Sequence, residues 1–349
     1  MTHLELFAGI GGFRRAMQLL EQIGGPNFRC VGYSEIDAAA RMTYTANFVT
    51  DGELDIGDIK PFSRRRNLRT VLPEFDLLTG GFPCQSFSMM GEQRGFGDDR
   101  GNLFFSMLRI ISAKRPRFVL LENVKNLKTH DSGRTYATIV DRLNRLGYQV
   151  FSDIFNSSDF GLAQTRNRIY IFATLAEIED GFSFTATTIR NSFLNVAAPN
   201  LERHESVSDV LVPNAPDKYW LSDRIKPTIL SCGTGGFKAK SEIDLPIARP
   251  LCATMVKMHR ACQDNYYSER FIRSHGRRVG PRKGIPTERI RKLMPVEAFR
   301  LQGFSREFFE RAANVGLADG KLYKQAGNAV SVNVVFAILN HLSNSFNWR

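Results

Sequence analysis

Cys84 sits in the stretch LLTGGFPCQSFS, Leu77 to Ser88, where an apolar run meets two glycines, a proline and then the thiol. A cysteine carried on a loop by a buried strand can act as an exposed nucleophile. The alternative is a small buried thiol that fills a gap in the core. Further along, LLENV brings Glu122, and QTRNR brings Gln164, Arg166 and Arg168. A carboxyl group near a nucleophile could deliver or hold a proton, and guanidinium groups could stabilise developing negative charge. The alternatives are a strand-end carboxylate paired with Arg168, and a surface loop at Gln164 and Arg166.

Any such chemistry depends on the elements that carry these residues. In the first half of the chain, strand and helix patterns alternate. LELFAG, CVGYSEI, FDLLTGGF, RFVLLENV and RIYIFAT read as strands. FRRAMQLLEQIG, DAAARMTYTANF, NLFFSMLRIISAK and YATIVDRLNRLGY read as helices. That order predicts an α/β domain built on a largely parallel sheet. From about residue 175 to 284 the chain turns rich in Pro, Gly, Asn and Ser, with short β-like pieces and no helical period. This predicts a second, smaller, irregular domain. Helical patterns return in PVEAFRLQGF and SVNVVFAILNHL, and no internal repeat is present.

FAGIGGF falls at the first strand-to-helix turn, where open α/β sheets bind nucleotides. Gly9, Gly11 and Gly12 would let a ligand approach the backbone closely. The dinucleotide fingerprint G-x-G-x-x-G would need glycine at position 14, where this chain has Arg14. A pyrophosphate site, and with it a dinucleotide oxidoreductase, is therefore disfavoured, whereas an adenosyl ligand without phosphates is not. Glu35 ends the second strand, where an acid would bind ribose hydroxyls, and Asp58 in GDI could accept from an adenine amino group. Their order along one βαβ unit points to S-adenosylmethionine.

The 349 residues are 43% hydrophobic, with a formal net charge of +12. That charge suits a polyanionic partner. It concentrates between Arg260 and Arg291, interleaved with Tyr266, Tyr267 and Phe271, and in SRRRNLR from Ser63 to Arg69. Two such runs favour phosphate contacts over a merely solvated face. The five cysteines show no C-x-x-C spacing and no companion histidine cluster. No metal site is expected, and reduced thiols fit an intracellular protein. No apolar run approaches the length of a membrane span, and no basic region precedes the first apolar residues.

Read in order, LELFAGIGGFR, YSEID, GDI, GGFPCQSFS, ENVKNL, QTRNR, RKLMPVEAFRLQGF and KQAGNAVSVNVV resemble the ordered motifs of the DNA cytosine-5 methyltransferases. The resemblance covers almost the whole chain except about 176–285. It implies a Rossmann-like S-adenosylmethionine-dependent domain, residues 1–175 with 320–349, and a smaller β-rich target-recognition domain, 176–319. It gives Cys84 the role of nucleophile toward C6 of a flipped-out cytosine and Glu122 that of partner to N3. Arg168, with Arg166, would contact the base carbonyl or order the site, and Gln85 joins them. For the cofactor it points to Phe7, Ala8, Gly9, Gly11, Gly12, Glu35, Ile36, Asp58, Ile59, Leu103, Asn328 and Ala329. For DNA it points to Ser88, Met90, Arg94, Arg100, Arg260, Arg277 and Arg278, with Ser86–Asn102 as a closing loop.

The family resemblance further implies a bacterial, cytoplasmic, nucleoid-associated enzyme, a monomer on duplex DNA, paired with a cognate restriction endonuclease. A tRNA cytosine methyltransferase and a catalytically silent DNA-binding relative are the competing readings. Two departures from the family pattern fall in RKLMPVEAFRLQGFS: Phe299 where a small residue is usual, and Ser305 in place of proline. Both bear on how the recognition region packs.

Overall fold

His3 to Leu6 are buried without interruption, and this run becomes an interior strand of a seven-stranded sheet. A strand buried on both faces is what a parallel sheet covered by helices requires. The computed structural model describes residues 1–83, 103–232, 239–276 and 288–348. The strands of the large sheet are β1 (Thr2–Leu6), β2 (Arg29–Ser34), β3 (Leu54–Asp55), β4 (Leu77–Gly81), β5 (Phe118–Val124), β6 (Gln149–Asn156) and β7 (Asn167–Thr174). They lie in the order β3-β2-β1-β4-β5-β7-β6. Pairings among β1 to β5 are parallel, and β7 runs antiparallel to both β5 and β6. The sheet is thus largely parallel, as the alternation predicts. The sequence pattern does not mark β6, whose side chains are mostly half-buried and so lack a clean apolar alternation.

Helices connect these strands: α1 (Gly12–Glu21), α2 (Ala38–Asn47), α3 (Ile59–Phe62), α4 (Leu68–Val71), α5 (Leu103–Lys114), α6 (Arg134–Arg145) and α7 (Ala186–Leu194). Leu4, Leu6, Leu78, Val119 and Leu121 of the strands pack with Phe104, Met107, Ile110 and Ile111 of α5 in one core. Phe118 and Phe172 pack against Phe346, near the C-terminus, with ring centroids 5.2 and 5.6 Å away. One compact unit comprises residues 1–156, 167–199 and 334–349; the other comprises 157–166 and 200–333.

The second unit is irregular. Its helices are α8 (Lys226–Leu230), α9 (Glu269–Arg273), α10 (Pro295–Arg300), α11 (Arg306–Asn314) and α12 (Asp319–Asn328), followed by the start of α13 (Val332–Ser345). Its described strands are β8 (Tyr266–Ser268) and β9 (Ile290–Lys292), an antiparallel pair. With so little ladder, side chains must satisfy buried backbone groups. Glu297 does so while paired with Arg291, both fully buried at 2.7 Å. Its carboxylate also accepts from the Val212 and Met294 amides at 2.7 and 2.6 Å. The two departures from the family pattern fit this unit. Phe299 is fully buried between Phe304 and Phe309, and Ser305 caps α11 by accepting from the Phe308 amide.

Arg14, which breaks the dinucleotide fingerprint, forms a two-oxygen pair with Glu53 at 2.6 and 2.9 Å and donates to the Tyr44 hydroxyl at 3.1 Å. Tyr44 in turn donates to Glu5 at 3.0 Å. Glu5 is fully buried in β1, and desolvation pushes its carboxyl up to about 7 despite Arg14. A carboxyl raised in the folded state contributes stability that is present below its ordinary range and lost as pH rises through about 7. Glu5→Gln removes that titration. Between pH 5 and pH 8 its stability relative to the parent should therefore shift in its favour by on the order of 1–3 kcal/mol. Urea unfolding at the two pH values checks this; an unchanged difference would mean that Glu5 is ionised throughout.

Candidate active site

The turn after β1 is forced by its surroundings. Phe7, Gly9 and Gly11 have φ of 53°, 56° and 84°. A Cβ on Gly11 would lie 2.2 Å from the Phe48 ring, so glycine is required there on two counts. Gly12 then begins α1, and the Ala8 amide donates to the Ser34 carbonyl at 2.9 Å, tying the turn to the end of β2. Glu35 completes the tie. Its carboxylate accepts from the amides of Gly9, Ile36 and Asp37, each at 2.8 Å.

This edge of the sheet suits an adenosyl ligand. Among the described residues, nothing lies within 4 Å of where a Gly9 Cβ would point, leaving an open cradle of backbone. Ile36, an apolar side chain on the same edge, is 74% exposed. Asp58 caps α3 through the Lys60 amide at 2.9 Å, and Ile59 behind it is buried. Leu103 opens α5 and is half-buried. Phe7, Ala8, Gly9, Gly11, Gly12, Glu35, Ile36, Asp58 and Ile59 thus follow from the turns after β1, β2 and β3. Asn328 and Ala329 belong to the other unit, at the end of α12, with Asn328 exposed and Ala329 buried.

A second group lies at the end of β5. Gly81 on β4 is registered opposite Glu122 on β5, so the chain leaves β4 toward Pro83 beside that carboxylate. Glu122 pairs with Arg168 of β7, Nε to Oε1 at 3.0 Å, with both side chains largely buried. The antiparallel register sets Val124 opposite Arg168 and Tyr170 opposite Glu122, so the two charged residues meet diagonally on one face. Sequence reasoning passed over Asn123. It is buried, and its Nδ2 donates to the Phe82 carbonyl at 2.7 Å, holding the segment that leads to Pro83. Its only signal was its place beside Glu122 in ENV.

Gln164 and Arg166 form no surface loop; both are buried. Arg166 donates to the carbonyls of Leu251, Gly327 and Ala329 at 2.9, 3.1 and 2.9 Å. Adjacent residues of QTRNR therefore serve different units, Arg166 in one and Arg168 in the other. Arg260 is half-buried in the second unit. Cys84, Gln85, Ser88, Met90, Arg94, Arg100, Arg277 and Arg278 lie outside the described residues, as does all of Ser86–Asn102. Among the described residues, no helix is long and apolar enough to cross a membrane, and no group of three metal-ligating side chains comes together.

A doubly wound sheet with a glycine turn and a strand-end acid at its first crossover defines a Rossmann-like enzyme domain. Residues 1–344 match the family described as C-5 cytosine-specific DNA methylase. The chain is 36% identical over 340 residues to the type II methyltransferase M1.ScrFI of Lactococcus lactis subsp. cremoris, covering 96% of this chain and 76% of that one. It is 35% identical to the type II methyltransferase M.HaeII of Haemophilus aegyptius, covering 99% and 93%. Among solved structures, the Dnmt2 methyltransferase of S. pombe shares the fold with a TM-score of 0.72 at 19% identity, covering 99% of each chain. The Entamoeba histolytica methyltransferase EhMeth gives 0.71 at 19% identity, covering 99% and 98%. The chain belongs to the C-5 cytosine-specific DNA methylases and is a DNA cytosine-5 methyltransferase.

Asn123→Ala should remove the anchor on Phe82 while leaving Glu122 and Arg168 in place. The expected loss is on the order of 1–2 kcal/mol in unfolding free energy, with a fall in kcat beyond what that instability explains. Denaturant unfolding and steady-state methylation of duplex DNA measure the two. A kcat unchanged at a temperature where the variant is folded would make Asn123 purely structural.

Proposed function

We propose that the enzyme methylates C5 of a flipped-out cytosine within a specific duplex DNA sequence through a covalent adduct of Cys84 with C6. The observation that carries this reading is the Glu122–Arg168 pair, 3.0 Å apart and beside the strand end that leads to Pro83. Cytosine C5 is too weak a nucleophile to take a methyl group unaided. The Cys84 thiolate adds to C6, and ring electrons move toward N3, where Glu122 hydrogen-bonds or supplies a proton. Arg168, already oriented by Glu122, holds the base carbonyl and stabilises the added ring. Bound S-adenosylmethionine supplies the electrophilic methyl group. The C5 proton then leaves, the C6–S bond breaks, and aromaticity returns. Because the thiolate cannot reach C6 in a stacked duplex, the base must leave the helix.

The cofactor reading rests on the open Gly9 cradle, the fixed Glu35 carboxylate and the exposed Ile36. Asp58, Ile59, Leu103, Asn328 and Ala329 are proposed to complete the contacts. Target recognition is assigned within 176–319, with Arg260, Arg277 and Arg278 among its DNA contacts. Gln85, Ser88, Met90, Arg94 and Arg100 are assigned to the loop that follows Cys84. Likeness to type II methyltransferases supports a role beside a cognate restriction endonuclease, and action as a monomer on DNA in the bacterial cytoplasm and nucleoid is proposed with it. Transfer to duplex DNA in preference to tRNA separates this reading from an RNA methyltransferase.

Gly9→Ala introduces no clash but places an L side chain in the open cradle at φ 56°. S-adenosylmethionine affinity by calorimetry should fall about tenfold or more, while salt-sensitive DNA binding persists. Unchanged cofactor affinity would remove the ligand from this turn.

A duplex with 5-fluorocytosine at the target tests the chemistry. Fluorine cannot leave as a cation, so elimination of Cys84 stalls after methyl transfer, and a denaturing gel should show a protein–DNA band. Cys84→Ser should abolish the band and keep DNA binding, because a hydroxyl is far less ionised than a thiol. Glu122→Gln should slow trapping. A band that persists without Cys84 assigns the nucleophile elsewhere.

A further inference from the structure

Residues 163–166 and 248–251 run side by side. Ala248 donates to the Ala163 carbonyl at 2.8 Å, and its own carbonyl accepts from the Thr165 amide at 2.9 Å. Three residues later, side chains take over from backbone. The Leu251 amide donates to Gln164 Oε1 at 2.9 Å, and the Leu251 carbonyl accepts from Arg166 Nη1 at 2.9 Å. Both polar groups of one backbone residue are thus held by two side chains of QTRNR.

Leu251 is the entry to the loop 252–264. At the exit, Asn265 grips the same stem, accepting from the Arg249 amide at 2.8 Å and donating to the Arg249 carbonyl at 3.1 Å. Inside the loop, Asp264 accepts from the His259 amide at 3.0 Å, and the Tyr266 hydroxyl donates to the His259 carbonyl at 2.6 Å. Arg166 Nη2 donates to the carbonyls of Gly327 and Ala329 at the end of α12. Gly327 lies so close to the loop's first residues that a Cβ there would sit 2.3 Å from the Cys252 carbonyl carbon. A fixed base therefore carries an exposed crown of Val256, Lys257 and Met258, with Met258 at φ 50°.

We infer that Gln164 and Arg166 are positioning residues that set the 252–264 loop for reading DNA, acting through Leu251 and not on the target base. The inference rests on the proposed assignment of recognition to 176–319. A planar guanidinium with three carbonyls around it has its fork spent on backbone, and lysine cannot reproduce that geometry. Loosening the stem lets the crown sample more orientations, so the ordering cost falls on DNA binding. A cation presented with two apolar neighbours suits a groove, where the phosphates attract Lys257 and base edges meet Val256 and Met258.

The test uses the full-length enzyme and duplexes carrying either its own methylation site or that site with one base pair changed. Arg166→Lys and Gln164→Ala should each reduce discrimination between the two by about tenfold, read as the ratio of dissociation constants. Lys257→Ala, at an exposed position, should weaken binding to both duplexes. Arg166→Lys combined with Lys257→Ala should lose less than the sum of the single losses, because a loosened loop no longer presents the lysine. A role confined to stability would lower Tm and leave the ratio alone, which overturns the inference. A fall in single-turnover rate with the ratio intact would place Arg166 at the base and overturn it too. If Arg166→Lys does not fold, Asn265→Asp decides, since it weakens the same stem from the exit side; an unchanged ratio there overturns the inference. If Lys257→Ala leaves DNA affinity intact, the loop does not read DNA, and the recognition assignment fails with it. If Lys257→Ala weakens binding while Arg166→Lys and Gln164→Ala do not alter the ratio, only the positioning role fails.

Discussion

Parallel pairing of β1, β2, β4 and β5 is the constraint on which the sheet unit depends. Parallel strands need crossovers, and the crossovers place successive carboxyl ends on one edge of the sheet. The turn after β1, the acid after β2 and the segment after β4 therefore come out together. Register then does the finer work. Gly81 faces Glu122, and Asn123 reaches Phe82, so the exit toward Pro83 is held by two neighbouring residues of β5. Reversal of β7 adds Arg168 to the same face, because an antiparallel neighbour returns a residue from the start of its strand to the end of β5.

In the second unit the limiting requirement is satisfaction of buried backbone groups with little ladder to supply it. Glu297, Gln164, Arg166 and Asn265 each bond main-chain groups of segments distant in sequence. Such side chains replace strand pairing where the backbone is irregular. Phe299 and Ser305 belong to the same economy of local fit: one fills the core between Phe304 and Phe309, and the other caps α11.

The Glu122–Arg168 pair shows how structural and catalytic readings of one contact converge. A strand-end carboxylate neutralised by arginine is a stable arrangement for two largely buried charges. The same contact leaves guanidinium and carboxyl groups oriented side by side beside the strand that precedes Cys84. The pairing expected as an alternative to chemistry is therefore the same geometry on which the proposed chemistry draws.

Ordered motifs and strand–helix alternation made the sheet unit legible in the sequence, because a buried strand and an amphipathic helix each write a local period. Gly9, Gly11, Glu35, Asp58 and Glu122 were legible because turns and strand ends demand particular residue types at fixed distances along the chain. Strand β6 was not, since its half-buried side chains carry no clear period. Neither was the burial of Arg166, which arises from carbonyls 85 to 163 residues away along the chain. A charged side chain reads as surface in any local window, and only the fold reveals that three backbone carbonyls surround it. The sequence by itself determined the family, the fold class and the residue types available for chemistry. Tertiary structure alone decided that the other arginine of QTRNR, Arg166, grips Leu251, because hydrogen-bond partners that are distant in sequence leave no local period.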